Sequence, residues 1–230
     1  MNVIHKMASK YYDNKFLRIT IRPIWKIYSQ WLEKRRNKRF LRDGLNILEL
    51  ARNILEKNEI SYWLEFGTLL GIYRDGGLIK NDLDLDLGAF IEDAERIKKV
   101  LLSNGFKIYH SFYCPDDPSI LEQTYVYKGT TIDFFYFVKD EEQKTIYCHN
   151  FLENTKNIKF SINKLVFPYE GFTHFLFNGL HYPIPSNIDE HLKANYGEKY
   201  MIPDPNFNSM LDSKNIIRYD LSEKYAYLRE

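Results

Sequence analysis

The residues of this chain best suited to chemistry are three acids, Asp82, Asp84 and Asp86, which alternate with Leu83, Leu85 and Leu87. Alternation at period two is the pattern of a β-strand, and it puts the acids on one face and the leucines on the other. Carboxylates side by side on one strand face repel each other, and a divalent cation turns that repulsion into binding. Mg²⁺ takes oxygen ligands in an octahedron and keeps positions for water and phosphate oxygens, so two carboxylates at i and i+2 can share one or two ions. A third acid from a neighbouring strand usually completes such a site. Asp133 is the candidate, alone in the apolar run Thr131-Ile132-Asp133-Phe134-Phe135-Tyr136, where an unpartnered acid would be costly. If its strand lies beside the first, it can bind a metal or take the proton from an attacking hydroxyl. The whole reads as a metal-dependent phosphoryl-transfer site.

The elements that must position these acids follow from periodicity and punctuation. Residues 14–40 read as a helix broken or kinked at Pro23, with an apolar stripe of Ile21, Ile24, Trp25, Tyr28, Trp31 and Leu32. A second helix covers about 40–57 and a strand 61–66. Thr68 to Arg74 forms a short helix before the turn Asp75-Gly76-Gly77, and the acid-bearing strand spans 82–88. Residues 92–104 are helical and closed by Asn104-Gly105. Gln123–Tyr127 and Thr131–Val138 form one hairpin around Lys128-Gly129-Thr130; Phe175–Phe177 and Leu180–Ile184 form another around Asn178-Gly179. Ser186 and Asp189 resemble a capping box, opening a helix that ends near Tyr196-Gly197. Residues 203–230 are less regular, with a weak helix signal near the end.

The order Gly67-Thr68, Asp84-x-Asp86, Asp133 resembles the nucleotidyltransferase superfamily, whose fold is polymerase-beta-like. Within it, Phe66-Gly67-Thr68-Leu69-Leu70-Gly71, then Arg74-Asp75-Gly76-Gly77-Leu78-Ile79, then Asp82-Leu83-Asp84-Leu85-Asp86 resembles the LicD family of bacterial phosphocholine transferases and animal fukutin-related proteins. Phe167-Pro168, Phe177 to Pro185, and Leu192 to Gly197 followed by Pro203 are similar to that family's C-terminal half, so the resemblance covers about residues 45–205. Lys80-Asn81 stands where the family usually has Pro-Trp, and Leu83 replaces one acid. The resemblance implies an α+β fold, a mixed sheet with flanking helices. It also implies transfer of a phospho-alcohol (phosphocholine, ribitol phosphate or glycerol phosphate) from a CDP-linked donor to a sugar hydroxyl. The acceptor would be a capsule, teichoic-acid-like or lipopolysaccharide glycan, which could be lipid-linked. Asp84, Asp86 and Asp133 would then hold Mg²⁺ or Mn²⁺, Gly67 and Thr68 the donor phosphates at a helix N-terminus, and Arg74 a phosphate as a fork. Asp82 reads equally as a ligand, an acid behind the ligands or a solvated side chain; Glu65 reads as an acid behind the site or an ordinary strand position; and the alternative for Arg74 is a surface ion pair with Asp75 or Glu65.

Net charge is +1, but residues 1–42 carry 12 Lys/Arg against Asp13 and Glu33, a net +10 that leaves −9 on the remainder. The expected organisation is a basic amphipathic helical extension over 1–42, the LicD-like domain over 43–205 and a packed tail over 206–230. The basic helix has three readings: packing on the domain, binding nucleic acid, or lying on an anionic membrane through residues 14–40 with Trp25 and Trp31 at the interface. Packing with loose membrane attachment is favoured, since the body offers no basic groove for nucleic acid. Cys114 and Cys148 make no disulfide framework, and with His149 they lack zinc spacing. His181 is the one histidine near a candidate acceptor site. Without a signal-like or membrane-spanning segment, the expectation is a cytoplasmic enzyme, peripheral on the inner face of the plasma membrane. Two rivals remain: a nucleotidyltransferase moving a nucleoside monophosphate from an NTP to a small molecule or RNA end, and a non-catalytic binding module.

Overall fold

The computed structural model describes residues 15–153, 159–218 and 224–229; side chains are described from Lys26 onward, Glu153 excepted. Residues 1–14 of the basic extension, and the side chains of Ile21, Ile24 and Trp25 in its expected stripe, lie outside the described residues. Helix α1 (Lys15–Lys57) is one helix of 43 residues. It runs on through Pro23, and the expected boundary at 42–43 falls inside it. A lone proline costs one backbone bond and bends a helix more readily than it ends one. From Phe40 onward the helix is seated: Phe40, Ile47, Leu48, Ala51, Ile54 and Leu55 recur at helical spacing and are buried in the main core.

Strand β1 (Trp63–Leu64) pairs antiparallel with β2 (Asp84–Phe90), and β2 pairs in parallel with β5 (Thr130–Asp140). Next to β5 come β4 (Asp117–Tyr127) and β3 (Lys107–Cys114), both antiparallel. The end of β5 also pairs with β6 (Thr145–Glu153), which forms a long hairpin with β7 (Lys159–Pro168). Two short strands, β10 (Ile216–Arg218) and β11 (Ala226–Arg229), complete the sheet; β11 joins β7 to β3, so the path β5-β4-β3-β11-β7-β6 returns to β5. The fold is therefore α+β with one large mixed sheet that curls onto itself. The tail expected to be irregular supplies strands to that sheet, and no helix forms in its described part.

Helix α2 (Phe66–Leu70) runs into a single π turn over Gly71–Asp75, and α3 (Ala94–Ser103) follows a 3₁₀ turn at Ile91–Asp93. The hairpin β8 (Phe172–Phe177) and β9 (Leu180–Pro185) turns on Asn178-Gly179, both residues at positive φ, as an Asn-Gly hairpin requires. Helix α4 (Ile188–Tyr196) starts from Asn187 with no side-chain cap, so the expected Ser186/Asp189 capping box does not form. Leu85, Leu87 and Ala89 of β2 face the main core with Ile132, Phe134 and Tyr136 of β5. The opposite face of the same strands carries the acids and, further along, an aromatic cluster around Trp63 and Phe137.

Candidate active site

Parallel pairing of β2 with β5 sets Asp86 directly opposite Asp133, and β4 brings Thr124 opposite Asp133 from the other side. Asp84 lies two residues before Asp86 on the same strand face, as period two requires. Asp82 precedes the strand, yet it still reaches the site: a Cβ built on Gly67 would lie 2.7 Å from Asp82 Oδ2 and 3.0 Å from Asp86 Oδ2. Glycine at 67 is what lets two carboxylates close over the turn. A further acid, Glu122, sits two residues along β4 from Thr124 and is buried. Reading the sequence alone missed it, because Glu122 in Leu121-Glu122-Gln123 has no motif around it; its signal is the cross-strand register, which only the fold supplies.

Burial dominates the electrostatics of this cluster. It lifts Asp82 to about 6, with the Asp84 charge adding to the effect. It raises Asp84, against which the nearby Arg36 guanidinium acts. Asp86 is pushed well above the usual carboxylate range, first by burial and then by Asp84, Asp133 and Asp82. Asp133 rises for the same reasons, with burial first and Asp84 next, while the Thr124 hydroxyl and Arg36 oppose the shift. Glu122 is raised well by burial and by Asp133 and Asp84. Like charges this close resist ionising together. Asp133 Oδ1 is fully buried with no hydrogen-bond partner.

The turn that leads into α2 is held from behind. Glu65 is buried; its Oε2 accepts from Trp63 Nε1 at 2.6 Å, and its Oε1 accepts from the Phe66 N–H at 3.2 Å and lies 2.8 Å from His191 Nε2. Both oxygens of Glu65 are thus taken, and it clamps the turn to α4 instead of standing among the ligands. Phe66 adopts φ 41°, a conformation rare for a bulky side chain. That strain, about 1–3 kcal/mol, is tolerated only where surroundings enforce it. Here the Glu65 cap and the Phe135 ring, 4.5 Å away, do so. Thr68 is tied to the acid strand: its Oγ1 accepts from the Asp86 N–H at 2.8 Å, and its own N–H donates to Asp86 Oδ2 at 3.3 Å.

The structure places Arg74 in an ion pair with its neighbour Asp75. Its guanidinium donates to both oxygens of Asp75 at 2.8 Å and to the Tyr200 carbonyl at 3.2 Å, so the fork expected for phosphate is occupied within the chain. Its charge still reaches Asp82. Tyr196, at the end of α4, faces the same acids: burial and the charges of Asp86, Glu65 and Asp82 push its phenol up. His181 lies outside the cluster, in β9, where its carbonyl accepts from Arg52 Nε at 2.9 Å.

The donor set is chemically suited to Mg²⁺ or Mn²⁺, being all carboxylate with one orphaned oxygen. Among the described residues no three His, Cys, Asp or Glu side chains converge into a ready-made metal cage.

Comparison with known proteins finds relatives of the chain. Human ribitol-5-phosphate transferase FKTN is 28% identical over 166 residues, covering 71% of this chain and 34% of that protein. An uncharacterised protein of Rickettsia prowazekii (strain Madrid E) is 30% identical over 165 residues, covering 69% of this chain and 58% of the relative. The chain thus spans about a third of the length of FKTN. Among solved structures, the lincomycin-bound lincosamide antibiotic adenylyltransferase LnuA matches over 63% of this chain and 79% of its own, at 17% identity and a TM-score of 0.40. Residues 59–187, which hold every acid of the cluster, match the family described as LicD/FKTN/FKRP, nucleotidyltransferase domain, and the chain belongs to that family.

Proposed function

We propose that this chain is a metal-dependent transferase that moves a phospho-alcohol from a CDP-linked donor to a sugar hydroxyl of a surface glycan. The observation that carries this reading is the pairing of Asp86 with Asp133 across β2 and β5, with Asp84 and Glu122 beside them. In the proposed reaction the acceptor oxygen forms a bond to the phosphorus that bears the alcohol. The bond from that phosphorus to the bridging oxygen breaks, and CMP leaves with the bridging oxygen. Asp133 takes the hydroxyl proton, a role suited to a buried carboxylate whose pKa is raised. Asp84 and Asp86 would hold Mg²⁺ or Mn²⁺, with Asp133 as a further ligand when it is not the base. The ion would offset the crowded acids and draw charge from the phosphate oxygens. Gly67 and Thr68 would border the donor phosphates beside Asp86. Ribitol phosphate heads the donor candidates because the relative FKTN carries it in its name; phosphocholine and glycerol phosphate follow.

The test is product analysis with Mg²⁺ and a panel of CDP-ribitol, CDP-glycerol, CDP-choline, CTP and ATP. CMP release from a CDP-alcohol, lost in Asp84→Asn and Asp133→Asn, is the expected result. Pyrophosphate release from an NTP would replace the reading with nucleotidyl transfer. No turnover together with no metal-dependent thermal shift would favour a non-catalytic module.

A membrane-bound acceptor suits the first half of α1. No helix among the described residues is long and apolar enough to cross a membrane. Ile27 is 68% and Trp31 49% exposed, and Tyr28 and Leu32 are also exposed, so this stripe is not packed on the body. The Arg35 guanidinium lies 4.6 Å from the Trp31 ring centre, and Lys34 and Lys38 flank the stripe. We infer that it rests on an anionic bilayer such as the inner face of a plasma membrane, an aromatic and basic surface being suited to that interface. Co-sedimentation with phosphatidylglycerol vesicles, absent with pure phosphatidylcholine and lost in Trp31→Ala, is expected; equal sedimentation with both would overturn it.

A further inference from the structure

Arg74 is paired with Asp75, and a second cation, on α1, stands near the acids. Asn37 of α1 donates through Nδ2 to the Lys80 carbonyl at 2.7 Å and the Asp82 carbonyl at 2.8 Å, so it grips the segment entering β2. Arg39 donates through Nη1 to the Gly129 carbonyl at 3.0 Å, at the turn entering β5. These two contacts stretch α1 across the open ends of the two strands that carry Asp84 and Asp133. Arg36 lies between Asn37 and Arg39 around the helix, one turn before buried Phe40 and on the same face. Arg36 is exposed and makes no hydrogen bond or ion pair within the described residues.

We propose that Arg36 is the phosphate-binding residue of this site, its guanidinium reaching from α1 over the acid cleft to the diphosphate of the donor. The inference deepens the transferase reading and rests on it. A guanidinium presents a planar fork matched to two phosphate oxygens, and it stays charged at any working pH. The acids that Arg36 overlooks repel a diphosphate. A cation above them offsets that repulsion whether or not a metal is bound, and the contacts of Asn37 with the segment entering β2 and of Arg39 with the turn entering β5 set the helix turn that bears Arg36 beside the ends of both acid-bearing strands. A purely structural role, as counter-charge to the acids, would act on the ligand-free protein instead.

Isothermal titration separates the two. CDP, CDP-ribitol, CDP-glycerol and CDP-choline, each with Mg²⁺, would be titrated into wild type, Arg36→Ala, Arg36→Gln and Arg36→Lys, with exposed Arg42→Ala as control. Ligand-free melting temperatures would be measured in parallel. The expected result is a loss of at least tenfold in affinity in the Ala and Gln variants, partial recovery with Lys, no change in the control and ligand-free melting close to wild type. Wild-type binding that Arg36→Ala and Arg36→Gln match within twofold, even with a shifted melting temperature, overturns the role of Arg36 and leaves the transferase reading standing. No wild-type binding to any of these nucleotides overturns both.

Discussion

Asp84 has two opposite effects: it serves the proposed chemistry and it burdens the fold. Burial raises it, and its charge in turn raises Asp82, Asp86, Asp133 and Glu122. Its removal as a charge should therefore relieve the metal-free protein. Asp84→Asn in EDTA at neutral pH is expected to melt roughly 2–4 °C higher, the scale of about 1 kcal/mol in a chain of this size. The same variant should lose transfer activity, and calorimetry beside the product assay reads both. A lower melting temperature would mean that the carboxylate is held by partners worth more than its repulsion. Gly67 makes the complementary case, since any β-carbon there presses on Asp82 and Asp86. Gly67→Ala should keep a native melting profile within a few degrees but drop turnover by roughly tenfold or more, because misplacing reacting groups by an ångström costs that much. Unchanged turnover would show that the two acids need not close over the turn.

At the scale of elements, β1 and its neighbours explain how a short turn is held in a strained shape. Trp63 faces Gly88 across the β1-β2 pair, and its indole occupies the space that a side chain at 88 would need. The ring is fully buried among Phe90, Phe137 and Phe172, with centroids 4.5–5.1 Å away. From there its Nε1 fixes Glu65, and Glu65 caps the start of α2. Gly88→Ala should cost roughly 1–3 kcal/mol by overpacking. It should also impair transfer although residue 88 touches no acid; a melting curve and activity equal to wild type would dissociate Trp63 from the turn. None of this chain of support was legible in the sequence. The acid strand was, because period two and the repeated Asp are local signals, and so were both Gly-containing hairpins, whose turn chemistry is local too. Glu122 and the Glu65–His191 contact depend on which strand or helix lies beside which, and spacing along the chain does not carry that.

Over the whole molecule the sheet closes through its last strand, and that closure was also illegible in advance. β10 and β11 are three and four residues long. Segments that short have no periodicity to read and become strands only because β7 and β3 already present unpaired edges. Where the curled strands meet, Lys224 Nζ bonds Asp117 Oδ2 at 2.6 Å, tying the approach to β11 to the start of β4. Nearby, His149 of β6 is buried opposite Lys164 of β7. Burial lowers its imidazole to about 4, helped by the charges of Lys164 and Lys224 and opposed by Asp117. An unfolded histidine titrates near ~6.5. The neutral folded form therefore contributes stability that is present above about pH 6.5 and is lost as pH falls toward about 4, up to about 3 kcal/mol. Asp82, raised to about 6, and the likewise raised Asp84, Asp86, Glu122 and Asp133 have the opposite sign, since their protonation favours the folded state as pH falls. The net slope mixes the two, and comparison with His149→Leu isolates the histidine. Wild type should lose stability relative to that variant progressively between pH 6.5 and 4.5 in metal-free melts, while the difference between them stays constant from pH 7 to 8. Parallel curves across the whole range would mean that the imidazole protonates without opening the ring of strands, and the closure by β11 would then be independent of His149.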